Sequence, residues 1–333
     1  MTTKRVILLG AGRMGAMHAR NAADHPQLTL HCVADVNRDA AQVLAEQFQV
    51  AHTDDIAQAV TDSAVDGVII ASSTDTHVDL ITRAARAGKG IFCEKPIDLD
   101  LARVDSCLAA VAEAGVPLMI GFNRRFDPNF AALRQRLRAG EIGAAEVVKI
   151  TSRDPQPPPL DYVKVSGGLF RDMMIHDFDM ARWLLDDEPT AVHATGSCLV
   201  DPAIGELGDI DTAVVTMRTA RGVICTIENS RRAVYGYDQR IEVLGARGML
   251  QAENPLPTTV TVSTADRIAN DRLLDFFVER YVGAYRAEFD HFARVLAGDE
   301  EPSVGATDGR RALVLAEAAL ASLASGQTVE VPR

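Results

Sequence analysis

Up to about Phe122, short apolar runs alternate with segments of helical composition. Arg5–Leu9, Leu28–Ala34, Gly67–Ala71, Ile91–Cys93 and Pro117–Gly121 read as strands, and the Val-Ile-Ile run inside Gly67–Ala71 marks a fully buried one. Between them Met14–Ala23, Asp39–Phe48, His77–Ala87 and Leu101–Ala114 read as helices, with Gly88 and Gly115 placed to end two of them in left-handed backbone. Such alternation with short connections predicts parallel strands and right-handed crossovers, hence a doubly wound α/β sheet over residues 1–122.

Beyond Phe122 the texture changes. A helix at Asn129–Ala139 is followed by β-type segments at Ala145–Ser152, Val192–Leu199, Ala213–Arg218, Gly222–Asn229, Gln239–Leu244 and Thr259–Ser263. Turn signals at Thr219–Gly222 and Gly245–Gly248 lie between them, which suits a large, mostly antiparallel sheet. Leu169–Leu185 reads as one embedded helix, and Phe276–Leu296 and Gly309–Ser325 as two closing helices. The expectation is a second α/β domain over residues 123–333 whose last helices are free to pack back on the first. Gln156–Pro159 is a stiff loop, too short to link domains.

Composition narrows the class. A chain of 333 residues with 47% hydrophobic and 24% charged positions suits two ordinary globular domains. Its net charge of −12 opposes nonspecific binding to nucleic acid or to an anionic membrane. No apolar run is long enough to span a bilayer, and the immediate entry into a strand predicts no signal peptide. Cys32, Cys93, Cys107, Cys198 and Cys225 are odd in number, with neither zinc-ligand nor redox spacing; they predict reduced thiols in a cytoplasmic protein.

Gly10-Ala11-Gly12-Arg13-Met14-Gly15 follows the first strand directly and opens a helix. In that context Gly10 takes the tight turn, Gly12 lets backbone approach a pyrophosphate, and Gly15 lets helix and strand pack closely. Arg13 and Met14 begin the helix whose N–H groups and dipole meet the phosphates. Asp35 ends the second strand, where a carboxylate accepts the adenosine ribose hydroxyls and repels a 2′-phosphate. This favours NAD over NADP, although Arg38 is a nearby cation able to take that phosphate. Ser72, Ser73 and Thr74 follow the buried strand at the edge where an open parallel sheet binds its ligand, with His77 at the start of the next helix as a capping, packing or cofactor-facing residue.

Two further groups bear chemistry. Glu94-Lys95-Pro96 follows another strand at the same edge, where a lysine can stabilise negative charge on a substrate oxygen; a surface Lys-Pro turn is the alternative. In Gly167-Gly168-Leu169-Phe170-Arg171-Asp172-Met173-Met174-Ile175-His176-Asp177-Phe178-Asp179 a continuous helix would put Asp172 and His176 on one face. An aspartate beside a histidine supplies a base near neutral pH. A satisfied core histidine competes with that reading. So does a metal site, for which no further ligand cluster is visible. The Gly-Gly pair, which lets backbone approach a ligand, favours a site.

With these residues the chain resembles the glucose–fructose oxidoreductase, inositol dehydrogenase and rhizopine-catabolism (GFO/IDH/MocA) family over essentially its whole length. Gly121–Pro128, Gly168–Met173, His176–Arg182 and Tyr235–Arg240 resemble its bacterial inositol 2-dehydrogenase branch. The resemblance implies a Rossmann domain, an α/β domain whose open sheet packs against another subunit, and often a homotetramer. It implies that Lys95, Asp172 and His176 form a catalytic triad with His176 as proton acceptor. Arg124 and Tyr235 match substrate-facing positions, and Asp154 is a further candidate for a polyol hydroxyl. The implied reaction is NAD-dependent oxidation of the C2 hydroxyl of myo-inositol, with no metal. A dehydrogenase of the same family for another inositol isomer or a cyclic sugar, and a nonenzymatic NAD-binding regulator, are the alternatives.

Overall fold

The computed structural model describes residues 3–331. The chain divides into two compact units, Met1–Asn123 with Tyr285–Leu313, and Arg124–Ala284 with Val314–Arg333.

In the first unit β1 (Lys4–Leu9), α1 (Arg13–Asp24), β2 (Leu28–Ala34), α2 (Arg38–Phe48), β3 (Ala51–Thr53), α3 (Ile56–Thr61), β4 (Gly67–Ile70), α4 (Thr74–Arg86), β5 (Gly90–Cys93), α5 (Leu101–Ala114) and β6 (Leu118–Ile120) follow in order. The six strands pair in parallel in the order β3-β2-β1-β4-β5-β6. Val6–Leu9 of β1 and every residue of β4, β5 and β6 are buried, as strands covered on both faces must be. The order reverses between β1 and β4, which opens a crevice at their carboxyl ends. Helix starts are set by side chains: Asn37 accepts from Ala40 N–H at α2, and Asp100 accepts from Ala102 and Arg103 N–H at α5. By contrast α1 begins at Gly12 with no side-chain cap.

The second unit begins with α6 (Pro128–Arg138), capped by Asp127, and β7 (Ala145–Arg153). There follow α7 (Leu160–Ser166), α8 (Leu169–Asp172), α9 (Ile175–Leu185), β8 (Pro189–Ser197), α10 (Pro202–Glu206), β9 (Thr212–Thr219), β10 (Ile224–Ser230), β11 (Asp238–Gly245) and β12 (Gly248–Ala252). A separate hairpin of β13 (Thr261–Ser263) and β14 (Ile268–Asn270) precedes α11 (Phe277–Arg280); α12 (Val282–Ala297) and α13 (Ala306–Ser325), each divided between the two units, follow before β15 (Val329–Glu330). The main sheet runs β12-β11-β7-β10-β9-β8-β15, antiparallel except where β7 and β10 pair in parallel. Buried and exposed residues alternate along β9, so one face of the sheet is covered and the other open.

Two expected helices are interrupted. Leu169–Leu185 breaks at Met173 and Met174, where Met174 N–H bonds back to Leu169 O (2.9 Å), five residues away instead of four. The carboxylates flanking the break are committed to different elements. Asp172 accepts from Tyr162 and Arg231, whereas Asp177 accepts from Arg124, Ser152 and Asn229. Tertiary pairing of this kind overrides helix-forming composition. Phe276–Leu296 breaks at Tyr281, where the adjacent Arg280 and Tyr281 both turn inward.

The first unit also buries a carboxyl group without a partner. Glu288 has no exposed surface and neither carboxyl oxygen has a hydrogen-bond partner. Burial, followed by the nearby charge of Glu94, pushes its pKa well above the ordinary carboxyl value. The folded protein therefore keeps a proton that the unfolded chain releases above about pH 4.3, so this group costs stability as pH rises. Glu288→Gln is expected to raise the midpoint of thermal unfolding near pH 8 and to matter little near pH 5, with the gain growing by at most about 1.4 kcal/mol per pH unit. Parallel melts of the two proteins across this range check it; a difference that does not change with pH would show that Glu288 is ionised in the fold.

Candidate active site

At the crevice of the first unit the glycine loop is folded too tightly for side chains. A Cβ on Gly15 would lie 1.9 Å from Gly10 O, and one on Gly10 (φ +104°) 2.6 Å from Ser72 N. Gly12 faces open space and gives the first-turn N–H groups around Arg13 and Met14 no side-chain acceptor, the arrangement that receives a phosphate. Asp35 is fixed beside this loop: its Oδ2 accepts from Ala11 N–H (2.7 Å) and its Oδ1 from Asn37 N–H (2.8 Å). Arg38 reaches instead toward Asp54, at 3.9 Å.

The neighbouring turns are tied together below the crevice. Ser72 Oγ hydrogen-bonds Thr76 Oγ1 (2.6 Å), Ser73 is the residue before α4, and Thr74 opens that helix. The buried ring of His77 has Nδ1 2.8 Å from Pro96 O and Nε2 3.1 Å from Ser72 O. His77 is therefore a strut between the turns after β4 and β5; burial, the leading cause, lowers its pKa against those two bonds. Glu94 is likewise buried, with Oε1 2.7 Å from His18 Nε2 and Oε2 accepting from Lys95 N–H (3.3 Å). Lys95 itself is half-buried and precedes a cis peptide to Pro96.

In the second unit the candidate residues gather where β7 and β10 end and β11 begins. Asp154 follows β7 and accepts, through its backbone O, from Ala233 N–H (2.7 Å). Burial comes first in pushing the Asp154 pKa up to about 6; Asp172 and Asp177 add to it, against Arg231 and Arg124. Asp172, 12% exposed, takes the Tyr162 hydroxyl on Oδ1 (2.8 Å) and Arg231 on Oδ2 (3.2 Å). Arg124 lies in the interior, donating to Asp177 Oδ1 (2.5 Å) and Ser152 Oγ (2.9 Å). Burial works against its charge, but Asp177 and other nearby groups outweigh that and keep its pKa far above the ordinary value. Tyr235 is exposed, and its hydroxyl accepts from Arg153 (2.6 Å) and donates to Asp238 (2.9 Å).

The Gly-Gly pair has a local explanation. A Cβ on Gly168 would lie 2.8 Å from Asp209 Oδ1, which also accepts from Leu169 N–H (3.0 Å). The group that approaches this backbone is thus a side chain of the same protein. Arg231 and Tyr162 were outside the sequence-derived set. Tyr162 follows the proline loop on α7, and Arg231 is indistinguishable in sequence from its neighbour Arg232, although the first is buried and the second exposed. Among the described residues no group of three or more His, Cys, Asp or Glu side chains is placed to hold a metal ion.

Residues 4–122 match the oxidoreductase family with an NAD-binding Rossmann fold, and residues 130–251 match the GFO/IDH/MocA C-terminal domain. The chain is 48% identical over 330 residues to an inositol 2-dehydrogenase of Rhizobium meliloti, covering 99% of each chain. It superposes on the crystal structure of a myo-inositol dehydrogenase from Corynebacterium glutamicum with a TM-score of 0.95 at 44% identity, covering 99% of both. A scyllo-inositol dehydrogenase from Lactobacillus casei, solved with NAD(H) and scyllo-inositol, superposes with a TM-score of 0.93 at 28% identity, covering 99% of this chain and 98% of that one.

Proposed function

Because the chain belongs to the GFO/IDH/MocA family of NAD-binding oxidoreductases, we propose that it oxidises the C2 hydroxyl of myo-inositol to 2-keto-myo-inositol (scyllo-inosose). One observation carries the chemical part of this reading: from Met173 to Arg182, His176 is the single residue that is not buried. An otherwise enclosed segment thus leaves one imidazole partly exposed, with its Nδ1 buried.

The phosphates of the cofactor are assigned to Gly10, Gly12, Arg13, Met14 and Gly15, and the adenosine ribose to Asp35. Ser72, Ser73, Thr74, His77, Glu94 and Lys95 border the carboxyl edge, His77 and Glu94 acting from beneath it. Bound NAD supplies the hydride acceptor. His176 takes the proton of the C2 hydroxyl, and Asp172 offsets the charge the imidazole then carries. Lys95 is assigned to the same oxygen, where an ammonium stabilises alkoxide character. Asp154 and Tyr235 are assigned to other hydroxyls of the ring. Arg124, with its guanidinium committed to Asp177, is assigned to shaping the wall from behind. A neutral, hydroxyl-covered ring suits a site whose partly exposed groups are carboxylates, an imidazole and a phenol.

We place the enzyme in the cytoplasm, a reading supported by its five free cysteines. We also assign it a homotetrameric state. Ile224, Val147, Leu244 and Met249 pair in one row across β10, β7, β11 and β12, and they are 42%, 36%, 42% and 47% exposed. An apolar row on an open sheet face is what a second copy would cover.

His176→Ala is expected to lower turnover of myo-inositol by about 10²–10⁴-fold while NAD affinity stays unchanged. Near-normal turnover would remove His176 from the reaction. The scyllo-inositol relative makes another isomer the second reading; rates of NADH formation across a panel of inositols and aldoses decide it, with preference for scyllo-inositol or glucose overturning the substrate. Leu244→Glu is expected to shift the mass in solution below that of a tetramer, by light scattering, and an unchanged mass would place the interface elsewhere.

A further inference from the structure

Arg231 is the largest fully buried side chain in the second unit, 1% exposed at the residue after β10. Its backbone N–H bonds Asp211 O (2.9 Å), which fixes its start. At the far end one terminal nitrogen donates to Asp172 Oδ2 (3.2 Å) and the other lies 3.9 Å from Asp154 Oδ2. Its Nε has no hydrogen-bond partner. Removing a guanidinium from water costs several kcal/mol unless carboxylates offset it. Here both carboxylates belong to the candidate site, and the single charge of Arg231 can offset one of them but not both. Register explains why they meet: Ser230 pairs with Arg153 in the parallel β7–β10 ladder, so the next residue on each strand brings Arg231 beside Asp154.

We infer that Arg231 is a positioning residue that holds Asp172 ionised and fixed in place, and so sets the proton affinity of His176 through it. This rests on the assignment of Asp172 and His176 to the reaction. The pocket then contains two carboxylates and one guanidinium, an excess negative charge that proton uptake by His176 cancels. Tyr162 completes the arrangement by taking the other oxygen of Asp172, which leaves that carboxylate little freedom to turn. The other charged groups around it are Arg124 from the segment before α6 and Asp177 from α9, already paired with each other.

The sign of the effect is fixed by charge. Without the guanidinium, protonation becomes easier at Asp172, Asp154 and His176 alike, so the acid limb of the rate profile moves to higher pH. The test compares Arg231→Lys and Arg231→Met with the wild type. Each is assayed for kcat and KM against pH with the polyol the wild type turns over best, and for NAD affinity and thermal midpoint. Arg231→Met is expected to lose about 10- to 100-fold in kcat and to shift the acid limb up by about one to two pH units, with NAD affinity unchanged. Arg231→Lys, which keeps the charge but not the fork, should lie between it and the wild type. A folded Arg231→Met protein with a lower thermal midpoint and an unmoved acid limb would reduce Arg231 to a structural role and overturn the inference, as would an Arg231→Lys protein with wild-type kcat and acid limb where Arg231→Met does not fold. That outcome is separable from failure of the function itself, in which His176→Ala would retain its turnover.

Discussion

Asp177 is a carboxylate with no exposed surface that finds its counter-charge inside the protein, and this pairing organises much of the second unit. Its Oδ1 receives Arg124 (2.5 Å) and the Ser152 hydroxyl (2.6 Å), and its Oδ2 receives Asn229 (2.9 Å). One carboxylate thereby joins the segment before α6, β7, β10 and α9, and β7 and β10 are the two strands that pair in parallel. Taking one partner away from such a buried pair costs about 3–5 kcal/mol, because the other charge is left behind. The residue before Asp177, His176, stays partly exposed, whereas Ile175 and Phe178 are fully buried.

The same pairing recurs elsewhere in the second unit, although buried Asp211 is held instead by the backbone N–H groups of Leu199, Val200 and Asp201. Arg125 is paired with Asp179 (2.5 Å) and Arg280 with Asp127 (2.5 Å), each buried on both sides. Arg231 differs because its two carboxylates are not fully enclosed, and this is where structural electrostatics and the proposed chemistry meet. The first unit follows another constraint, close approach of backbone to backbone at Gly10 and Gly15, which leaves a helix start with no side-chain cap. In the proposed function that unit handles the phosphates of NAD, and the other presents ionisable groups to a polyol.

Much of the first unit was legible because strands buried on both faces are unbroken apolar runs. Leu28–Ala34 and Leu101–Ala114 have the bounds that pattern and caps predict. What escaped was short: β3 and α10, at three and five residues, do not accumulate a periodic signal. The break at Met173–Met174 escaped because the partners of its flanking carboxylates, Arg231, Asn229 and Ser152, lie on or just after strands remote in sequence. For the same reason the pattern that marked Arg124 and His77 did not reveal that both would be buried, one in an ion pair and one between two carbonyl oxygens. Motifs single out positions; the fold shows which of them brace a neighbour, as His77 and Arg124 do.

The central claim is that a hydride leaves C2 of the inositol ring for the nicotinamide. Incubating the enzyme with NAD and myo-inositol carrying deuterium at C2, then weighing the recovered NADH by mass spectrometry, tests it directly. The expected result is NADH bearing the deuterium, formed more slowly than with unlabelled substrate wherever hydride transfer limits the rate. NADH formed without the label would contradict oxidation at C2, and no NADH from myo-inositol at all would contradict the substrate.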